Sequence, residues 1–292
     1  MPWQSLLQTR DRLPVTALDD WYAALLQRAG DTTPFALAVL GGRLAATPGL
    51  AFLAGYQGAL RALWPAAPLS LGALCVTENR STRPADLHTR LRGLHLSGRK
   101  DFVTAADAAD WLLVAARVEE QGEPRLAMGV VRSGTPGARI EPLPALPLMP
   151  DIGHARLHLD EALCELLPGD GWDSYVKPFR SIEDLHVLSA LSAWLFGVGS
   201  DSDWPQEVRL RLLALLAGCA EVARHNAGDP VTHLQLAGLF AQFHALRPAL
   251  DAAIGAGPGE WAALWARDCD LLEVAGAARA KRLEKAWAAL AR

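Results

Sequence analysis

The stretch at residues 71–116, LGALCVTENRSTRPADLHTRLRGLHLSGRKDFVTAADAADWLLVAA, constrains the fold more than any other part of this chain. It alternates short apolar runs with turns bearing Gly, Asn and Pro, a pattern that specifies strands rather than helix. The clearest strands fall at residues 73–77, 91–96, 102–103, 111–116 and 126–131, with Ser97-Gly98 read as a tight turn. A further run at 155–160 carries apolar residues two apart, the period of a half-buried strand.

Alanine-rich helical sequence lies on both sides of this β segment. Asp19, Trp21, Ala24 and Leu25 belong to an amphipathic segment that stops near Gly30. Thr33-Pro34 and Thr47-Pro48 open two more helices, each with Pro in the favoured first turn, and Pro65 closes the second. After Pro178 the apolar stripe Ile182, Leu185, Leu188, Leu191 and Leu195 marks a long helix. Val208, Leu212, Leu215, Cys219 and Val222 mark the next, and residues 234–250 and 261–290 supply two more. Four such stripes predict an antiparallel bundle. The expected class is therefore α+β and mostly α: a helical part at 1–69, a β-domain at 70–170 and a four-helix bundle at 171–292.

Composition narrows the function. A chain of 292 residues with 51% hydrophobic content can bury a large core. Its net charge of −4 includes no long basic run, which argues against nucleic acid as a partner. The four cysteines stand far apart without a CxxC pair, so they read as free thiols of a reducing compartment rather than disulfides or zinc ligands. No apolar run approaches the roughly 20 residues of a membrane helix. Charges at Arg10, Asp11 and Arg12 fall where a secretory leader would carry its apolar core, so the expected location is cytoplasmic. GxGxxG, P-loop, GxSxG and HExxH motifs are all absent. His154 and His158 would lie about 13 Å apart along one strand, too far to share a metal.

Several segments carry a family resemblance. Leu74-Cys75-Val76-Thr77-Glu78-Asn79 is similar to the Thr-Glu-Pro strand of the acyl-CoA dehydrogenases, with Asn79 in place of Pro. Residues 96–104, LSGRKDFVT, resemble that family's Gly-x-Lys-x-(Trp/Phe)-Ile-Thr run, and residues 166–172, LLPGDGW, resemble its link into the helical bundle. The resemblance implies a flavoprotein fold with a short N-terminal helical part, a central β-domain and a C-terminal bundle. It implies FAD as cofactor, with Leu74, Val76, Thr77, Phe102 and Thr104 beside the flavin. The implied reaction is α,β-dehydrogenation of an acyl-CoA or acyl-carrier thioester, as in fatty acid metabolism. Family bundles also imply a homo- or hetero-oligomer.

That reaction needs a carboxylate to take the α-proton. Ala266-Arg267-Asp268-Cys269-Asp270 resembles the family region that precedes the usual base, and gapless counting puts Gly276 at the base position. Some members instead place the base on the first bundle helix, where counting on from Gly171-Trp172 reaches Glu183, with Asp184 second. Arg80-Ser81-Thr82-Arg83-Pro84 replaces the family's Gly-x-Gly-Ser-Asp turn. The connection at 197–205 is acidic and lacks the family's phosphate-reaching Arg segment, so it is expected to repel phosphate. A non-catalytic paralogue acting as partner subunit is the alternative function.

Overall fold

The computed structural model describes residues 2–118 and 125–291. After α1 (Trp3–Leu6) and α2 (Leu18–Ala29), the two Thr-Pro pairs start helices as the sequence predicts. Thr33 and Thr47 stand in extended backbone, and their hydroxyls accept the N–H groups of Ala36 at 3.2 Å and Leu50 at 3.1 Å. These caps satisfy donors that a helix start otherwise leaves open. They begin α3 (Pro34–Leu44) and α4 (Pro48–Leu63).

The chain then enters one curled sheet built from β1 (Gly72–Cys75), β2 (Arg90–Arg92), β3 (His95–Thr104), β4 (Trp111–Val118), β5 (Arg125–Arg132), β6 (Ala138–Pro142), β7 (His154–Leu163) and β8 (Glu165–Leu166). Among the described residues its order is β6-β7-β3-β2-β4-β5-β8, and β1 pairs in parallel with β4. Two expectations need correction here. The strand expected at 91–96 is broken, because the chain reverses at Gly93 with φ 57° and β3 starts at His95. Ser97-Gly98 is not the turn. It lies inside β3, where the pairing with β7 slips between Leu96 and Gly98.

A π-helical turn at Gly171–Val176, capped by Asp170, leads into α5 (Lys177–Asp201). Then follow α6 (Gln206–Val222), α7 (Pro230–Gly255), α8 (Gly259–Asp268) and α9 (Gly276–Leu290). The single helix expected at 261–290 is therefore two. Between them the 3-10 turn Leu271–Glu273 carries Leu271 and Leu272 inward, and both are buried. No helix among the described residues is long and apolar enough to cross a membrane.

Helix α5 is the axis of the molecule. It packs against α3 and α4 on one side and against α6, α7 and the loop before α9 on others. Glycines permit this closeness. A Cβ at Gly42 would fall 2.0 Å from the Ala190 carbonyl oxygen, and one at Gly55 would fall 2.7 Å from the Val187 Cα. Strand alternation divides the core. Trp111, Leu113 and Ala115 of β4 join the helices in one apolar cluster with Trp21, Leu53 and Trp194. Leu112, Val114 and Ala116 face a second cluster inside the curled sheet.

Candidate active site

Three elements meet around Tyr56. Its buried hydroxyl accepts the N–H of Leu74 on β1 at 2.8 Å, and its ring meets Phe179 of α5 edge-on at 5.7 Å. Burial raises the Tyr56 phenol well above its ordinary range, and the charge of Glu183 adds to the rise. Glu183, one helical turn beyond Phe179, is thus electrostatically coupled to the residue that holds β1. Its own carboxyl is pushed up to about 8, first by burial and then by Asp184, against the opposing pull of Arg282 and Arg180. At neutral pH the group holds its proton and is poised to lose it slightly above.

Asp184 faces another way. It is buried and paired with two arginines of α9, with Arg279 Nη1 at 3.1 Å and with Arg282 in a second, very short contact. Arg279 also lies 4.0 Å over the ring of Phe240. Asp184, the second candidate base, therefore fastens α9 to α5, and burial raises its carboxyl against the pull of Arg282 and Arg279. Neighbouring helix positions are turned by roughly 100°, which is how adjacent carboxylates come to such different surroundings.

The segment after β1 is held from below by β3. Asp101 donates its N–H to the Thr77 carbonyl at 2.8 Å and accepts the Asn79 N–H at 2.9 Å. Lys100, fully buried, donates to Glu78 at 2.6 Å and reaches the Val76 carbonyl at 3.4 Å. Glu78 also accepts N–H groups from His88 and Thr89. Burial favours the neutral forms of both partners; it draws Lys100 down, while the lysine's charge and these hydrogen bonds still keep Glu78 below its ordinary value. The pair is an ionised clamp under the strand.

Phe102 follows Asp101 in β3. It sits where the β3–β7 pairing slips between Lys100 and Val103, with φ 54° and 49% exposure. An aromatic residue in left-handed backbone, displayed rather than buried, is the kind of strain that gathers at functional sites. Thr104 pairs with His154 two residues on and is half-buried. Val76 is buried and Leu74 half-buried. Asn79, in place of the family's Pro, and Arg80, which opens the segment replacing its glycine-rich turn, both take positive φ, 48° and 63°. Glu78 and Ser81 close this hairpin by two backbone bonds of 2.9 and 2.8 Å.

The expected repulsion of phosphate by the connection after α5 finds no support at Asp201. Its carboxylate is neutralised by Arg43 at 2.9 Å and Arg12 at 3.1 Å. Tyr56 and Asp101 carried no signal in the sequence, whereas Lys100 did, as the lysine of the Gly-x-Lys run.

Three solved structures share this architecture. FkbI, which serves biosynthesis of the methoxymalonyl extender unit of the polyketide immunosuppressant Fk520, superposes with TM-score 0.68 at 19% identity, over 99% of this chain and 98% of its own. Butyryl-CoA dehydrogenase from Megasphaera elsdenii gives TM-score 0.66 at 14% identity, over 94% and 88%. This chain has an acyl-CoA dehydrogenase-like fold. Glutaryl-CoA dehydrogenase from Mycobacterium smegmatis, in complex with FADH2, gives TM-score 0.59 at 13% identity, over 98% and 93%. No protein-family profile matches the chain, and no curated protein matches it. In the acyl-CoA dehydrogenase-like fold as this sequence builds it, Gly276 opens α9 and lines a groove against α7, with His233, Phe240 and His244. It offers no group that accepts a proton.

Proposed function

We propose that this chain is a flavoprotein that uses FAD to α,β-dehydrogenate an acyl thioester, with Glu183 as the base. One observation carries the reading: a carboxyl lifted to about 8 is electrostatically coupled to Tyr56, whose hydroxyl is bonded to the strand expected to run along the flavin. Abstraction of a weakly acidic α-proton favours a base more basic than an ordinary carboxylate.

The residues present suit the ring end of a flavin. Phe102 offers an exposed aromatic face. The hydroxyls of Thr77 and Thr104 make no hydrogen bond among the described residues and are neutral donors suited to a polar ring edge. Val76 supplies apolar wall. Leu74 contributes its half-buried side chain, because Tyr56 already takes its N–H. Bound FAD would supply the two-electron acceptor that no side chain replaces. Glu183 takes the proton at its carboxylate; Arg180 and Arg282 favour its charged form, and burial with Asp184 keeps it basic.

The test is a visible spectrum of the purified protein, before and after incubation with FAD and gel filtration, followed by anaerobic addition of acyl-CoA. Flavin bands near one per chain that bleach with acyl-CoA, and that Glu183→Gln keeps but no longer bleaches, are the expected result. Bleaching that survives Glu183→Gln would remove Glu183 from the role. A second reading, a non-catalytic partner subunit in an oligomer, is favoured by the exposed Trp287 (60%) and Leu290 (50%) along α9. A colourless protein that refuses FAD and elutes as a multimer is its signature.

A further inference from the structure

A cavity of about 290 Å³ opens where the end of α4, the first turns of α5, the end of α6 and the start of α7 converge. Its volume lies at the lower edge of the range of small-molecule sites, about 300–1,000 Å³. Small side chains leave the space: Ala62 near the end of α4, and Ala223 and Ala227 just beyond α6. Leu63, Ile182, Leu185, Val222 and Leu236 give it apolar walls. Neither Glu183 nor any residue expected beside the flavin lines it, so its occupant is separate from the acyl thioester.

Two buried polar groups on this lining lack partners. His186 is 4% exposed, and its Nδ1 lies 2.7 Å from the Ile182 carbonyl oxygen. A carbonyl only accepts, so Nδ1 carries the proton of that bond and Nε2 of the neutral ring is left as an acceptor. Burial pushes the imidazole down to about 4, which keeps the ring neutral at physiological pH. Nε2 makes no hydrogen bond among the described residues. The hydroxyl of Thr232, 5% exposed in the first turn of α7, makes none either. Buried polar groups normally have partners, so two unmet ones on one cavity mark a place that a ligand completes. Ser181 also lines the cavity, but its hydroxyl is engaged with His233 Nδ1 at 3.3 Å. Among the described residues no Asp, Glu, Lys or Arg lines it. At its exposed rim His225 meets Glu221 at 3.2 Å, and Asn226 accepts the Gly228 N–H at 2.8 Å. A charged ligand would be desolvated there without a counter-charge.

We propose that this cavity binds an uncharged, mostly apolar molecule bearing a hydroxyl group, with His186 and Thr232 as its hydrogen-bonding partners. A ligand hydroxyl supplies both complements: its O–H donates to His186 Nε2, and its oxygen accepts from the Thr232 hydroxyl. The apolar walls hold the rest of the molecule by releasing water. The site needs neither flavin nor Glu183.

The experiment titrates the purified full chain by calorimetry with para-cresol, with para-fluorotoluene, which keeps the shape but has no O–H, and with the anion para-toluate. The expected result is para-cresol binding about fivefold or more tighter than para-fluorotoluene, and no binding of para-toluate. Thr232→Val keeps the shape of the side chain, and His186→Asn keeps an N–H for the Ile182 carbonyl. Each should weaken para-cresol by about three- to tenfold and leave para-fluorotoluene unchanged, a difference that general loosening of the fold does not produce. Melting curves check both variants, and Thr232→Val decides alone where His186→Asn fails to fold. Absence of para-cresol binding, equal affinity for para-fluorotoluene, or para-cresol affinity untouched by the folded variants overturns the proposal. Flavin colour is recorded on the same samples. A colourless protein that binds para-cresol supports this site while the dehydrogenase reading falls, so the two failures are distinguishable.

Discussion

The Tyr56 hydroxyl accepts the Leu74 N–H at 2.8 Å, and this bond, beside the pair between Gln57 and Gly72, ties α4 to β1 where Tyr56 feels the charge of Glu183. Tyr56→Phe keeps the ring against Phe179 and Phe52 but leaves a half-buried N–H without its partner. The expected cost is about 1–3 kcal/mol, the usual penalty for an unmet buried donor. Urea unfolding of both proteins measures it. Equal midpoints would mean that the bond contributes nothing to the fold.

Glu183 imposes a pH signature on stability. In the folded chain its carboxyl keeps a proton up to about pH 8, whereas its ordinary value is 4.5. Between these values the unfolded chain binds fewer protons than the folded one, so stability falls as pH rises across the window and levels off above it. Glu183→Gln removes that fall. Its melting temperature relative to the parent should climb from about pH 5 to about pH 8 and then stop climbing. Flavin reduction should behave oppositely, rising with pH through about 8 in the parent as the base deprotonates, and dropping by roughly 10²–10⁴ in the variant. Burial first, then Asp184, Arg282 and Arg180, sets the position of this window.

Lys100 and Glu78 test whether the clamp under the segment that follows β1 is structural. Lys100→Met would leave the Glu78 carboxylate buried and unpaired, at a cost of about 3–5 kcal/mol. Adding Glu78→Gln should recover part of that loss, because a neutral amide costs less to bury than an unpaired charge. Chemical denaturation of the single and double variants gives the comparison. A double variant no more stable than the single one would show that hydrogen bonds to His88 and Thr89, rather than charge, dominate at Glu78.

The sequence made the helices legible where local chemistry decides them. Thr33 and Thr47 cap α3 and α4 through their own hydroxyls, a bond confined to three residues. The errors arose where distant packing decides. Gly98 reads as a turn residue, but its φ of 145° serves a bulge, where a Cβ would lie 2.6 Å from Thr89. The break after α8 depends on Asp268, whose carboxylate is buried to receive the Met149 N–H and Arg267. Nothing within residues 261–290 announces that partner. The site divided along the same line. The family resemblance pointed to Glu183 and Phe102, whereas the contacts of Tyr56 and Asp184 depend on what α4 and α9 bring from elsewhere in the chain.

Gly276 provides the sharpest test of where the base resides. A Cβ there would meet Glu273 Oε2 at 3.7 Å and Arg279 Nη2 at 3.9 Å, both ordinary contacts, so Gly276→Glu can be accommodated. At the first position of α9 the new carboxylate also meets a favourable helix dipole, and loss of the glycine reduces backbone entropy in the unfolded chain. A gain of about 0.5–1 kcal/mol is expected, visible as a melting temperature higher by a few degrees. Activity should not follow stability. Gly276 lines the groove between α7 and α9, whereas Glu183 is coupled to Tyr56 and β1. Gly276→Glu placed on Glu183→Gln is therefore expected to leave flavin reduction lost, as measured by anaerobic bleaching with acyl-CoA. Recovery of bleaching in that double variant would show that the position at the start of α9 reaches the α-carbon after all, and the assignment to α5 would fall.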